Sequence, residues 1–114
     1  MPYLNIRFSE KVTNKKEILS KLSKFISDEL HKPEKYVMIS FETDVCMSLG
    51  AYEKQALFIE FKSIGFTKDV KVLSELLCDF MERELNISKD RIYIVFSDID
   101  KSLWGWNGTT FDFL

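Results

Sequence analysis

The chain has 114 residues, of which 46% are apolar and 30% charged, with a formal net charge of −2. That length suits one domain spanning residues 1–114, and the balance of apolar and charged residues excludes a disordered or fibrous chain. The acidic balance argues against nucleic acid as a partner, and no stretch is apolar enough to cross a membrane.

In chain order the first element is a strand, Tyr3 to Ser9, whose strict alternation puts Leu4, Ile6 and Phe8 on one side. Asn14 and Glu17 then have the spacing of a capping box, opening a helix that carries Ile18, Leu19, Leu22, Phe25, Ile26 and Leu30 at helical spacing. Lys11, Lys15, Lys16, Lys21 and Lys24 are interleaved with those apolar positions and read as a solvated face. A second strand, Tyr36 to Glu42, alternates through Val37, Ile39 and Phe41, and a linker follows near Asp44 to Tyr52. The third strand, Ala56 to Ser63, presents Leu57, Ile59 and Phe61. The second helix carries Val70, Leu73, Leu77, Phe80, Met81 and Leu85, with Thr67 as its expected N-cap and Asp69 in its first turn. The last alternating strand, Arg91 to Ser97, offers Ile92, Ile94 and Phe96, and a tail covers residues 101–114.

The two halves repeat. A shift of 55 residues lays Leu22 on Leu77, Phe25 on Phe80, Leu30 on Leu85, Ile39 on Ile94 and Phe41 on Phe96. The chain therefore reads as two β-α-β pseudo-repeats, about 2–44 and 56–98. Two right-handed units of parallel strands make an α+β fold: a four-stranded mixed sheet with both helices on one face. The other face would carry Tyr3, Asn5, Arg7, Tyr36, Met38, Ser40, Glu42, Phe58, Glu60, Lys62, Tyr93, Val95 and Ser97. That set is too aromatic for a solvent face and too charged for a dry core. It suggests packing against other subunits around a polar centre, and a domain this small gains from such burial.

Cys46 and Cys78 form no CxxC pair and are expected to be reduced thiols, and His31 has no partner at metal-ligand spacing. No apolar run follows basic residues at the start, so synthesis in the cytoplasm is expected. The sequon matches Asn86-Ile87-Ser88 and Asn107-Gly108-Thr109 are then coincidental.

The sequence begins Met1-Pro2. Removal of Met1 would leave Pro2 with a free secondary amine at the start of a strand. Burial and a nearby cation would lower its pKa toward neutrality, where a general base works best. Taken alone, Met1-Pro2 equally fits routine processing and a stiff chain start. Taken alone, Lys32 reads first as a cation at a helix C-terminus, Tyr93 fits an interface aromatic, and Trp106 and Phe111 fit anchors for the tail.

Five segments, in order, shift that balance. Met1-Pro2, Lys32-Pro33-Glu34-Lys35-Tyr36-Val37-Met38, Ser63-Ile64-Gly65, Asp90-Arg91-Ile92-Tyr93-Ile94 and Gly105-Trp106-Asn107-Gly108-Thr109-Thr110-Phe111 resemble the macrophage migration inhibitory factor family of the tautomerase superfamily along almost the whole chain. The resemblance implies a homotrimer and an isomerase of the phenylpyruvate tautomerase type, with dopachrome isomerisation as a further activity. It implies that Pro2 is the catalytic base, that Lys32 binds the substrate carboxylate and keeps the proline neutral, and that Ser63 and Ile64 form a pocket wall. Tyr93 would be supplied by the neighbouring subunit, and Tyr36, Trp106 and Phe111 would line the pocket or its mouth. The substrate would be a small aromatic α-keto acid, with no cofactor and no metal.

Where the family often has asparagine, two residues after the pocket tyrosine, this chain has Val95. Valine cannot hydrogen-bond a ring hydroxyl, so preference should move toward unhydroxylated substrates. Ala56-Leu57-Phe58-Ile59 stands where some members carry CxxC, so no thiol oxidoreductase activity is expected, and Leu49-Gly50-Ala51-Tyr52 is poorer in glycine than the family's loop. The alternative function from the same resemblance is a cytokine-like signalling protein with a vestigial pocket. Such a protein would leave the cell by a non-classical route and be recognised by a host receptor.

Overall fold

The computed structural model describes residues Met1–Leu114. Strand β1 (Pro2–Phe8) leads into helix α1 (Lys15–Leu30), a 3₁₀ turn (Glu34–Tyr36) and strand β2 (Met38–Glu42). Strand β3 (Leu57–Ser63), helix α2 (Val70–Leu85), a 3₁₀ turn (Lys89–Arg91) and strand β4 (Ile92–Asp98) repeat the pattern. The chain closes with a 3₁₀ turn (Lys101–Leu103), the short hairpin β5 (Gly105–Trp106) and β6 (Thr109–Thr110), and a last turn, Phe111–Phe113.

The four long strands form one mixed sheet in the order β2-β1-β3-β4. Each β-α-β unit contributes a parallel pair, and the units join through β1 and β3, which run antiparallel with Pro2 opposite Ser63 and Phe8 opposite Leu57. Alternation decides which side chains meet the helices. Leu4, Ile6, Phe8, Leu57, Ile59 and Phe61 are buried against Ile18, Leu22, Ile26 and Leu30 of α1 and Leu73, Leu77, Phe80 and Met81 of α2. Outer strands β2 and β4 cover less: Ile39, Phe41, Ile94 and Phe96 pack against this core while remaining half-buried. No helix is long and apolar enough to cross a membrane.

Several local expectations are corrected. Tyr36 lies in the 3₁₀ turn before β2, because the chain leaving Pro33 curls before it extends. Asn14 stands at the N-cap of α1 without a side-chain cap bond, so the expected capping box does not form. Asp69, not Thr67, caps α2: its carboxylate accepts from the Lys71 N–H at 2.8 Å, while the Thr67 hydroxyl donates to the Leu30 carbonyl at 2.9 Å. Val70 opens α2 and stays exposed, three residues before the buried apolar stripe begins at Leu73. Ile87, beyond the helix and absent from the periodic pattern, is buried in the core.

Backbone bonds from Asp44 and Val45 to Glu10 and Phe8 and the Ser9 hydroxyl at Ala56 fix the ends of the linker from β2 to β3, and Arg91 holds its middle. The Arg91 guanidinium donates to the carbonyls of Gln55 at 2.7 Å and Leu49 at 2.8 Å, and more weakly to those of Tyr52 and Lys54. Both cysteines are free thiols. Burial pushes the Cys78 thiol pKa up, which leaves it protonated and unreactive.

Ile59 is fully buried at the centre of β3. Ile59→Ala is expected to lower the unfolding free energy by about 3 kcal/mol, whereas Asn14→Ala, which removes no cap bond, leaves it nearly unchanged. Urea unfolding at a fixed protein concentration checks both.

Candidate active site

The chain start is the natural focus, because several elements converge on it. Pro2 is the first residue of β1 and is buried, opposite Ser63 on β3. Helix α1 ends in His31, whose left-handed backbone (φ 54°) turns the chain sharply so that Lys32 points back toward the sheet. Two bonds lock this turn: the Lys32 N–H donates to the Ser27 carbonyl at 3.1 Å, and the Ser27 hydroxyl donates to the Lys32 carbonyl at 2.6 Å. The Lys32 ammonium donates to the carbonyls of Ile64 at 2.5 Å and Gly65 at 3.3 Å. Its charge therefore serves the end of β3, not the last turn of its own helix. Gly65, at φ 74°, makes the bend that presents both carbonyls, and its N–H donates to the Asp98 carboxylate at 2.9 Å.

The amine at the chain start lies within hydrogen-bonding reach of Lys32. Burial, then the Lys32 charge and its hydrogen bond, lower the pKa of that amine, which is Met1's, from 8.0 to about 6. Lys32 is itself shifted down by burial, against the opposing pull of Asp98 and of the amine. Lys32 thus raises the cost of charging the amine, and the amine, whose ordinary pKa is the lower, yields first.

Beside the amine opens a cleft of about 670 Å³. Its walls include Pro2, Tyr3, Tyr36, Trp106 and Phe111, together with Lys35, Lys62, Leu103 and Trp104. The Tyr36 ring meets Trp106 edge-on at 5.6 Å and Phe111 edge-on at 6.1 Å, while Trp106 and Phe111 stack at 5.9 Å. The hairpin makes that stack possible. Asn107 (φ 52°) and Gly108 (φ 79°) both occupy the left-handed region that a tight two-residue turn requires, and the Phe111 N–H donates to the Trp104 carbonyl. No group of three or more histidine, cysteine or acidic side chains is placed to hold a metal ion.

The nine residues singled out from the sequence fall into three groups. Pro2, Tyr36, Trp106 and Phe111 line the cleft. Lys32, Ser63 and Ile64 meet the chain start without forming its wall, and the buried Ser63 hydroxyl has no hydrogen-bond partner. Tyr93 and Val95 stand apart, 61% and 50% exposed on the open sheet face. Asp98 is the β4 residue level with Ser63 and hence with Pro2. Tyr93 is therefore about 16 Å from that level along the strand and about 10 Å across two strand spacings. Within one chain it does not reach the cleft. Lys35, Lys62, Leu103 and Trp104 were not singled out. Only Lys62 carried a usable signal, its alternation onto the open face, and even that becomes informative only once β3 is known to pair with β1.

With this geometry in view, the comparisons with known proteins agree. Residues 1–112 match the family model described as macrophage migration inhibitory factor. The chain belongs to the macrophage migration inhibitory factor family. A homologue from Trichinella spiralis is 34% identical over 114 residues, covering 97% of this chain and all of that one. The factor from Xenopus tropicalis is 35% identical over 96 residues, covering 82% of this chain and 84% of its own. Among solved structures, the homologue from Prochlorococcus marinus superposes with a TM-score of 0.90 at 39% identity, covering 96% of this chain and 98% of that one. The family's fold, with its doubled β-α-β unit, is therefore the fold described above.

The lowered amine pKa links proton binding to stability. Between about pH 6 and pH 8 the unfolded chain binds more protons than the folded one, so this contribution rises with pH and is lost as acid charges the folded amine. For the chain bearing Met1, the urea midpoint should rise across that window. Acetylating the amine should remove that increment.

Proposed function

We propose that the protein is a keto–enol tautomerase of phenylpyruvate-type substrates, working as a homotrimer, with the Pro2 nitrogen as its base after Met1 is removed. The observation that carries this reading is the chain-start amine of Met1, held beside Lys32 and shifted to about 6, at a cleft that Met1 and Pro2 line together with Tyr36, Trp106 and Phe111. Removing Met1 would move the free amine one residue further into the strand, to the buried Pro2, where burial and the Lys32 charge would act on it in the same direction. A neutral amine at physiological pH is the form a base needs.

In the forward step the Pro2 nitrogen takes a proton from the carbon next to the keto carbonyl. The C–H electron pair becomes a carbon–carbon double bond, and the carbonyl π pair moves to oxygen. The prolinium then returns that proton to the oxygen, giving the enol with no net gain or loss of electrons. Lys32 binds the carboxylate and offsets the enolate charge, and Tyr36, Trp106 and Phe111 enclose the ring.

The trimer is supported by the open face of the sheet. Met38 is 66% exposed there and Tyr93 is 61% exposed, an apolar load that a solitary domain would leave in water. It is supported as well by the position of Tyr93, which can join a cleft only when a neighbouring copy brings it.

With a mass-verified Pro2 terminus, phenylpyruvate tautomerisation should be readily measured, and Pro2→Gly should lower kcat/KM by at least about a hundredfold. Absence of activity despite a free Pro2 would move the function to binding, as in a signalling protein. Val95→Asn should raise kcat/KM for the ring-hydroxylated substrate relative to phenylpyruvate several-fold, read as the ratio of the two constants.

A further inference from the structure

The cleft holds more positive charge than one carboxylate uses. Lys35 and Lys62 line it, and no aspartate or glutamate does. Neither lysine takes part in an ion pair, although seven such pairs occur elsewhere on the chain. Of the acids of the strand end and tail, Asp98 accepts from the Gly65 N–H, Asp100 from the Ser102 N–H and hydroxyl, and Asp112 from the Thr110 hydroxyl, and none of them pairs with Lys35 or Lys62. Lys62 has Tyr3 and Ser97 as its cross-strand neighbours, so its charge is not answered across the sheet. The Lys35 ammonium lies 5.1 Å from the centroid of the Tyr36 ring, which fixes that charge against the aromatic wall. On a chain of net charge −2, such a concentration of free cations along one apolar cleft sets up a local field for anions.

We propose that the cleft takes an aromatic α-keto acid bearing a second anionic group, with the keto acid's carboxylate at Lys32 and the second group between Lys35 and Lys62. This substrate class rests on the tautomerase reading above. Lys35 and Lys62 are exposed, so each contributes a modest, salt-screened attraction, about threefold in affinity and about tenfold together.

The test compares phenylpyruvate with its meta- and para-carboxylated derivatives, using the full chain with a verified Pro2 terminus. The KM of at least one dicarboxylate should be about tenfold lower, the advantage should shrink as salt rises, and in Lys35→Gln/Lys62→Gln the ratio of KM values should approach one. Equal KM values for mono- and dicarboxylates, or a preference that survives the double substitution, would overturn the proposal. A second measurement separates this question from catalysis. Quenching of Trp104 and Trp106 fluorescence by phenylacetate and by para-phenylenediacetate reports affinity without any proton transfer. If neither keto acid turns over, the proton-transfer reading falls, and this titration still decides the substrate class. Tighter binding of the diacid, lost in the double variant, upholds it, and equal binding ends it.

Discussion

The antiparallel pairing of β1 with β3 is the constraint on which the rest of the molecule depends. Each β-α-β unit alone would leave one strand edge and one helix face unsatisfied. Joining them through β1 and β3 merges two half-cores into one, with Ile6 opposite Ile59 and Leu4 opposite Phe61 at its centre. The same register places Pro2 opposite Ser63, and so brings the start of the chain to the bend at Gly65. A slip of one residue would turn every side chain of β1 to the wrong face. Burial of Leu4, Ile6 and Phe8 therefore fixes the position of the amine as firmly as it fixes the core.

The electrostatics of the chain start follow from that register. Two cations share a partly buried corner, and the lysine is retained in its place by carbonyls at the end of β3. Carbonyl acceptors hold the lysine in place, and the amine, whose ordinary pKa is the lower of the two, gives up its proton first. The aromatic cluster plays a separate part. Tyr36, Trp106 and Phe111 come from the 3₁₀ turn before β2, from the first strand of the hairpin and from the last turn, and their mutual packing anchors the tail against the first half of the fold.

Much of the architecture was legible because period-two and helical patterns are strong in this chain. The alternation of Leu57, Ile59 and Phe61 and the stripe of Leu73, Leu77, Phe80 and Met81 named their elements and their buried faces alike. Local capping was less legible, since Thr67 and Asp69 are both good N-cap residues and only tertiary contact decides between them: the Thr67 hydroxyl is taken by Leu30. Ile87 escaped notice because a buried residue in a loop has no period to betray it. Of the site, Pro2 and Lys32 were found through family resemblance, because no spacing rule links residues brought together by strand pairing. Lys35 and Lys62 went unremarked for the same reason: their shared cleft exists only after the sheet, the turn and the tail have come together.

The hold of Arg91 on the linker has a consequence for how this segment can change over time. The guanidinium reads four main-chain carbonyls and no side chain. Loop shape is thereby loosened from loop sequence: apart from Asp44, Gly50 and Ala51, whose left-handed backbone restricts the residue type, positions 44–55 can drift in identity while the path of the backbone is kept, provided the length and the arginine persist. Lysine could not substitute, since a single ammonium cannot span carbonyls spread over that arc. Variation among relatives should then gather in the loop's side chains and stop abruptly at the arginine.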